Sequence, residues 1–255
     1  ISLGDEGYQE VMLLGQNVNS YGLDFTFPYD FADLIKLLDG TNKINRIRYM
    51  TSHPRDFSKK LIDTIASCPS VCEHFHLPIQ SGSNRILKLM NRGYTRESYL
   101  SLLREIRDKF SYYSITTDII VGFPGETDRD FQETLELFKE AQFDVAYTFL
   151  YSTRSGTPAA EMPDQVPPEV KKERLQELMN VQNSISLKIN QNLIGKTEEI
   201  LVEGTSKTSE ATMTGRTRTN KIVNFPGEKN LAGKLVQVKI KKAKTWHLEG
   251  EKLDK

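Results

Sequence analysis

Five short segments carry the residue types that could do chemistry here. They are Gly15-Gln16-Asn17-Val18-Asn19-Ser20-Tyr21-Gly22, Thr51-Ser52-His53-Pro54-Arg55, Gln80-Ser81-Gly82-Ser83, Gly122-Phe123-Pro124-Gly125-Glu126 and Ser152-Thr153-Arg154-Ser155-Gly156. Amides, hydroxyls and glycines dominate them. Such groups give hydrogen-bond donors and acceptors together with close backbone approach, which suits recognition of a polar, nucleoside-sized molecule better than acid/base hydrolysis. Gly122 to Glu126 lacks the lysine and the spacing of a phosphate-binding P-loop. Asp118, set among Thr116, Thr117, Ile119 and Ile120, is a carboxylate that is costly to bury without a partner, so it is either functional or a satisfied structural acceptor. His53, just before a proline, is a candidate for ligand contact. Cys68 and Cys72 are the only cysteines. A cluster or zinc site needs three or four ligands, so these two, with His74 and His76, read as packing residues.

The elements that must position these segments alternate in kind. Apolar, β-branched runs at 11–14, 47–50, 74–79, 115–121 and 145–151 read as strands. Helical spacing of apolar residues lies between them, as in Leu61, Ile62 and Ile65, or Phe131, Leu135 and Phe138. Thr127 with Asp130 three residues later forms a capping box that opens one of those helices. Strands alternating with helices mean parallel pairing and right-handed crossovers, with a ligand site on the loops leaving the strands' carboxyl ends. Each of the five polar segments follows such a strand. After residue 151 the pattern changes to a proline-rich loop, a long polar helix at 167–193, and then short strands with glycine turns, the signature of a small β-barrel. A first unit at 1–193 and a second at 194–255 are expected.

With 38% hydrophobic and 27% charged residues, the chain is globular, and no apolar run is long enough for a membrane span. The cysteine usage fits a reducing, cytoplasmic setting. A neutral total hides a split: residues 191–255 hold 13 Lys+Arg against 8 Asp+Glu, whereas residues 1–190 hold 21 against 26. A basic region on an acidic body points to a polyanionic partner.

The segments LLGQNVNSYG, TSHPRDF, CEHFHLPIQSGSNRILKLMNRGYTRE, TTDIIVGFPGET, YSTRSGTPAAEMPDQVP and GRTRTN together resemble the radical S-adenosylmethionine methylthiotransferases of the MiaB type. QNVNSYG and the block at 76–94 favour the tRNA-modifying enzymes over the related ribosomal-protein methylthiotransferases. The resemblance implies an α/β fold: a partial, open TIM-like (β/α) barrel of the radical SAM type, here without its first βα unit, followed by a small all-β TRAM barrel of OB-like form. It implies S-adenosylmethionine and two 4Fe–4S clusters as cofactors of the full-length protein. The reaction implied is addition of a methylthio group to (isopentenyl)adenosine in the tRNA anticodon stem-loop, with an unknown sulfur donor.

By the same resemblance, Gln16 and Asn17 approach the methionine moiety, Gln80 and Ser81 the ribose, and Gly122 the adenine. Tyr151 and Ser152 lie where the last strand meets the cofactor, and Asp118 belongs with them. His53 and Arg154 face substrate, and Arg216, Arg218, Asn220 and Lys241 contact tRNA. Neither cluster's cysteine set is present, so the chain reads as a C-terminal fragment, catalytically silent, with no metal or cofactor expected bound. Its incomplete barrel edge near 11–14 is expected to be apolar and to favour a dimer. Two rivals stay open: a self-contained RNA-binding protein on an α/β platform, and a cluster-free, aldolase-like enzyme using His53, Asp118 or Glu126. Trp246 is expected in a core, and Arg216 and Arg218 on one strand face. The region from Ile194 onward should bind tRNA weakly on its own, with affinity falling steeply as salt rises. Filter binding across a salt series checks this, and salt-independent binding would count against it.

Overall fold

The structure, a computed structural model, describes residues 1–207 and 209–253. In chain order its elements are α1 (Ser2–Asp5), β1 (Glu10–Leu13), α2 (Phe31–Asp39), β2 (Arg46–Tyr49), α3 (Lys59–Ser67), β3 (His74–His76), α4 (Asn84–Leu89), α5 (Arg96–Lys109), β4 (Ser114–Val121), α6 (Asp128–Ala141), β5 (Val145–Leu150), α7 (Pro158–Glu161) and α8 (Pro168–Gln191). They continue as β6 (Thr197–Ser206), β7 (Ser209–Arg216), β8 (Ile222–Pro226), β9 (Leu235–Ala243) and β10 (Leu248–Lys252). The helices start where a side chain can take the orphan amides of the first turn: Asp30, Ser58, Thr95 and Thr127 each accept from the backbone three residues on.

β1 pairs with β2, and β3 with β4 and β4 with β5, all parallel. A parallel bridge between Ile47 and Val71 links the two groups into one open wall. The pleat divides each strand's residues between two faces. Ile47, Tyr49, Phe75, Leu77, Ile115, Ile119 and Val121 pack under the helices in the main core. The residues between them, Arg46, Arg48, His74, His76, Ser114, Thr116 and Asp118, fall on the opposite, concave face. A closed TIM barrel fills that interior with branched apolar side chains; here it is polar. β6 to β10 close into a separate barrel in the order β10-β8-β7-β6-β9, around Ile200, Val202, Met213, Val223, Phe225, Val238, Ile240 and Leu248. Among the described residues no helix is long and apolar enough to cross a membrane.

The small barrel is bolted to the wall through the amino ends of its strands. Arg46 donates to Arg216 O (2.8 Å) and to Glu199 O and Oε1 (2.8 and 2.9 Å). Arg48 donates to Arg218 O (2.8 Å) and Thr217 O (2.7 Å). Ser114 Oγ takes the next carbonyl, Thr219 O, at 2.7 Å. Lys221 pairs with Asp144 at 2.5 Å, and Arg218 returns the contact by pairing with Glu73 and donating to Val71 O. Arg48 Nε also lies 2.8 Å from Glu10 Oε2, an ion pair whose N–H is poorly aligned for a hydrogen bond.

Three expectations are corrected by this arrangement. β2 begins at Arg46, one residue before the expected run, because its arginines are paid in hydrogen bonds from the other barrel. Arg216 ends β7 while Arg218 lies in the following turn, so the two do not share a strand face. The last strand begins at Leu248, leaving Trp246 in a turn and 54% exposed. The expected apolar edge is half true: Met12 and Leu14 are exposed, whereas Val11 and Leu13 pack on the core.

Both arginine side chains are almost wholly buried, so removing one strands carbonyl oxygens away from water. Arg48→Ala should lower stability by about 3 kcal/mol and let the small barrel unfold separately. Urea titration followed by near- and far-ultraviolet circular dichroism reads this, and an unchanged single transition would contradict it.

Candidate functional site

All the wall strands are parallel, so their carboxyl ends and the five polar segments open on one side. Neighbouring loops are tied in pairs. Val18 N donates to Thr51 O, while Asn19 clasps the His53 backbone, accepting from His53 N (2.8 Å) and donating to His53 O (2.9 Å). Ser20 Oγ bonds Asp56. Asn19 is buried and was not singled out from the sequence, where it is one amide among several.

A cavity of about 550 Å³ lies at the ends of β3, β4 and β5, a size suited to a nucleoside-like ligand. Gln80, Asp118, Tyr151, Ser152 and Arg154 line it together with Phe123 and Phe149. Tyr151 packs edge-on to Phe123, ring centroids 5.3 Å apart, and its hydroxyl is buried without a hydrogen-bond partner. Gln80 is held at φ 74°, a conformation that a residue with a Cβ rarely keeps unless its surroundings fix it. They do: its amide donates to Asp118 O and its carbonyl accepts from Ile120 N. Asp118, the open question of the fourth strand, is part-exposed, with Oδ1 3.6 Å from His76 Nε2. His76 Nδ1 and His74 Nε2 both meet Thr116 Oγ1 at 3.0 Å, so the histidines are packing and hydrogen-bonding groups of the concave face. Burial, and next the Arg48 charge, push the His74 pKa down to about 3, which keeps it neutral.

Other expected residues lie elsewhere. Gln16 and Asn17 are exposed on the rim and do not line the cavity. Ser81 is buried and accepts from Ser83 N. Gly122 is buried at φ 74°, and a Cβ there would stand 2.4 Å from Lys171 Cγ, so the packing of α8 against this turn favours glycine. His53 stacks edge-on to Tyr94, and its Nδ1 accepts from Arg55 N; burial and then the Arg92 charge lower its pKa. Arg218 is engaged with Glu73, Arg216 with Glu203, and exposed Lys241 with Glu251. Asn220 sits at φ 65° with its side-chain oxygen accepting from Arg216.

The loops around the cavity are set by buried charges on α6 and α8. Glu126 accepts from Gly122 N and from Arg174, which also holds Asp128. Burial raises the Glu126 pKa against the pull of Gly122 N–H and Arg174; locked in this way, it has no free edge for the acid/base role of the aldolase-like reading. Asp130 gathers the Gln80 loop: it accepts from Ser83 Oγ at 2.6 Å, from Arg85 and from Thr127. The sequence marked Asp130 only as part of the capping box.

The donor set decides which cofactors these residues could hold. Among the described residues no three His, Cys, Asp or Glu side chains converge as a metal site. Cys68 and Cys72 are buried, and burial raises both thiol pKa values, opposite to what a thiolate ligand needs. The residues present therefore do not fit an iron–sulfur cluster. The cavity, with the Asp118 carboxylate, a fixed backbone bridge at Gln80 and aromatic walls from Phe123 and Phe149, does fit the nucleoside part of S-adenosylmethionine.

Residues 2–138 match the Radical SAM superfamily, and residues 191–253 match the TRAM domain. Curated proteins named tRNA-2-methylthio-N(6)-dimethylallyladenosine synthase are similar along nearly the whole chain. The one from Alkaliphilus oremlandii is 56% identical over 98% of this chain and 53% of its own length. Those from Desulforamulus reducens and Moorella thermoacetica are 57% and 55% identical, over 54% and 57% of their lengths. The chain thus spans about half the length of these relatives. Among solved structures, the radical SAM enzyme coproporphyrinogen III oxidase from Escherichia coli superposes with a TM-score of 0.50 at 17% identity, covering 72% of this chain and 50% of that one. The archaeal Elp3 of Methanocaldococcus infernus gives 0.50 at 18%, covering 72% and 47%. These two share the fold.

For Asp130, burial by itself raises the pKa, but the hydrogen bonds from Arg85, Ser83 and Thr127 outweigh it and hold the carboxyl well below its ordinary 3.8. A depressed folded-state pKa stabilises the fold above the unfolded value, and that stability is lost as pH falls below it. Asp130→Asn should cost about 2 kcal/mol at pH 7 and flatten the acid limb between pH 4 and the folded pKa. Urea midpoints at pH 7 and below pH 4 test this: equal losses at both would overturn it.

Proposed function

Because the chain belongs to the radical SAM superfamily and carries a TRAM domain, we propose that it forms the cofactor wall and RNA-binding module of a tRNA methylthiotransferase. The target is an adenosine beside the anticodon, the isopentenylated form being the expected one. The observation that carries this is identity of 55% to 57%, over alignments that span 98% to 99% of the chain, with proteins of that name. Their names also favour tRNA over a ribosomal protein as substrate. A platform reading without a ligand does not account for a nucleoside-sized cavity lined by the part-exposed Asp118 carboxylate with Arg154 at its mouth.

In this reading Gln80, Asp118, Tyr151 and Ser152 hold S-adenosylmethionine, and Arg154, exposed at the mouth, meets substrate. When bound and reduced, S-adenosylmethionine supplies a carbon-centred radical. The chain's own part is to orient that molecule, through Gln80 backbone geometry fixed against β4, and to shield it with Phe123 and Phe149. The iron–sulfur ligands are no part of the described residues, and no step is assigned to them. The basic β9, whose Lys239 and Lys241 point outward, meets tRNA phosphate. The exposed apolar edge at Met12 and Leu14 remains a contact for a second copy or for further chain.

The test is genetic and chemical. The complete coding sequence that contains this chain, expressed in a bacterium whose tRNA lacks the methylthio group, should restore 2-methylthio-adenosine in nucleoside mass spectra. Asp118→Ala in that protein should raise the S-adenosylmethionine concentration needed for half-maximal turnover several-fold, on the scale of one lost hydrogen bond. Cluster-loaded, folded protein that leaves tRNA unmodified would overturn the reading.

A further inference from the structure

A second cavity, of about 450 Å³, lies where the concave wall meets the small barrel. It is not the proposed cofactor cavity, yet the two are neighbours along β5, since Phe149 lines both. On the wall side it presents Tyr147 and Phe149, 43% and 51% exposed. On the barrel side it presents Trp246. Three large aromatic side chains left open to water around one cavity are costly unless something covers them.

Trp246 is held out deliberately. Its turn is closed by Lys244 N donating to His247 O. From α8, the Asn190 side chain donates to both Lys244 O (2.9 Å) and Thr245 O (3.1 Å), while its oxygen accepts from Lys221 Nζ. Asn190 is itself buried, so the turn is pinned by a fully committed amide. The backbone that carries the indole is thereby fixed beside the cavity. At the cavity wall Arg216 orients the Asn220 carboxamide, and at its base His74 stays neutral against Thr116. The charged side chains that line the space are already paired, Lys221 with Asp144 at 2.5 Å and Arg216 with Glu203 at 2.8 Å, so the space suits an uncharged, hydrogen-bonding ring edge. Lys244, beside the turn, is exposed.

A slot with aromatic walls, paired charges and an exposed lysine beside its turn matches a nucleobase with its phosphates outside. We infer that the junction cavity receives one unstacked base of a single-stranded RNA loop, stacked on Trp246 and facing Phe149, next to the nucleotide that meets Arg154 at the mouth of the cofactor cavity. This rests on the tRNA reading above and deepens it: the junction cavity and that mouth would grip successive parts of one loop, and a duplex would not fit. Because the small barrel is fixed to the wall by Arg46 and Arg48, the spacing between the two grips is set by the fold.

The chain has a single tryptophan, so its intrinsic fluorescence reports on this position alone. The chain is titrated with an RNA hairpin bearing a single-stranded loop, with a fully paired duplex of the same length, and with adenosine monophosphate. The hairpin is expected to quench the emission saturably and the duplex to leave it unchanged. By anisotropy of labelled hairpin, Trp246→Ala should weaken binding roughly tenfold, the contribution of one stacked base, with the salt slope unaltered because no phosphate contact is lost. Trp246→Phe should recover most of the loss. Hairpin binding without quenching, and with Trp246→Ala at full affinity, overturns this inference while the tRNA reading stands. Quenching by adenosine monophosphate that is as strong as by the hairpin overturns it in favour of a free-nucleotide site. If neither RNA binds, both readings fall.

Discussion

Two guanidinium groups withdrawn from water must find hydrogen-bond partners, and in this protein Arg46 and Arg48 find them on a chain segment 170 residues away. Charged groups are expensive to bury unless their donors are met. Here the donors meet the carbonyls of Arg216, Thr217 and Arg218, at the end of β7 and in the tight turn that follows it. Each side satisfies the other. The small barrel supplies acceptors to an otherwise polar, open interior, and the wall supplies donors that add to the turn's own bond from Asn220 N to Thr217 O. Lys221 with Asp144 and Arg218 with Glu73 extend the joint on either flank.

That joint explains why the concave face is polar. A closed barrel packs its interior with aliphatic side chains, but this wall is open and must leave room for ligand at one end and accept a neighbouring domain at the other. Arginines and histidines occupy the end toward the small barrel. Asp118, Ile120 and Tyr151 occupy the ligand end. The change from one to the other occurs within β4, between Thr116 and Asp118, so a single strand serves both the joint and the cavity. The aromatic residues of β5 continue from one cavity to the next, so the strand wall and the small barrel frame neighbouring spaces.

The loops around the cofactor cavity are rigid for a separate reason. Asp130 and Glu126, near the start of α6, are buried carboxylates whose partners are the loop amides and arginines that shape the mouth. Most of that could not be read along the chain. Thr127 and Asp130 were legible as a capping box because capping is a contact three residues long, but Ser83 and Arg85 reach Asp130 from a different loop. Asn19 was equally hidden: an amide among amides until the fold sets it against His53. By contrast, Cys68 and Cys72 were read correctly as packing residues, since counting ligands needs no geometry.

Strand and helix periods, capping residues, glycine turns and the shift from an acidic body to a basic tail are local properties, and residue order alone determined them: parallel wall, long connecting helix, small barrel, and polar loops at the strand ends. What tertiary structure alone decided was which polar groups share a space. It placed Gln80, Asp118, Tyr151 and Ser152 around one cavity, left Gln16 and Asn17 on the rim, and buried Ser81 and Gly122. It also turned Arg218 from an expected nucleic-acid contact into part of a domain joint and lifted Trp246 out of its expected core. The physical reason is that alternation along a strand says only that a side chain faces one side or the other. What waits there depends on segments brought together by packing from far along the chain.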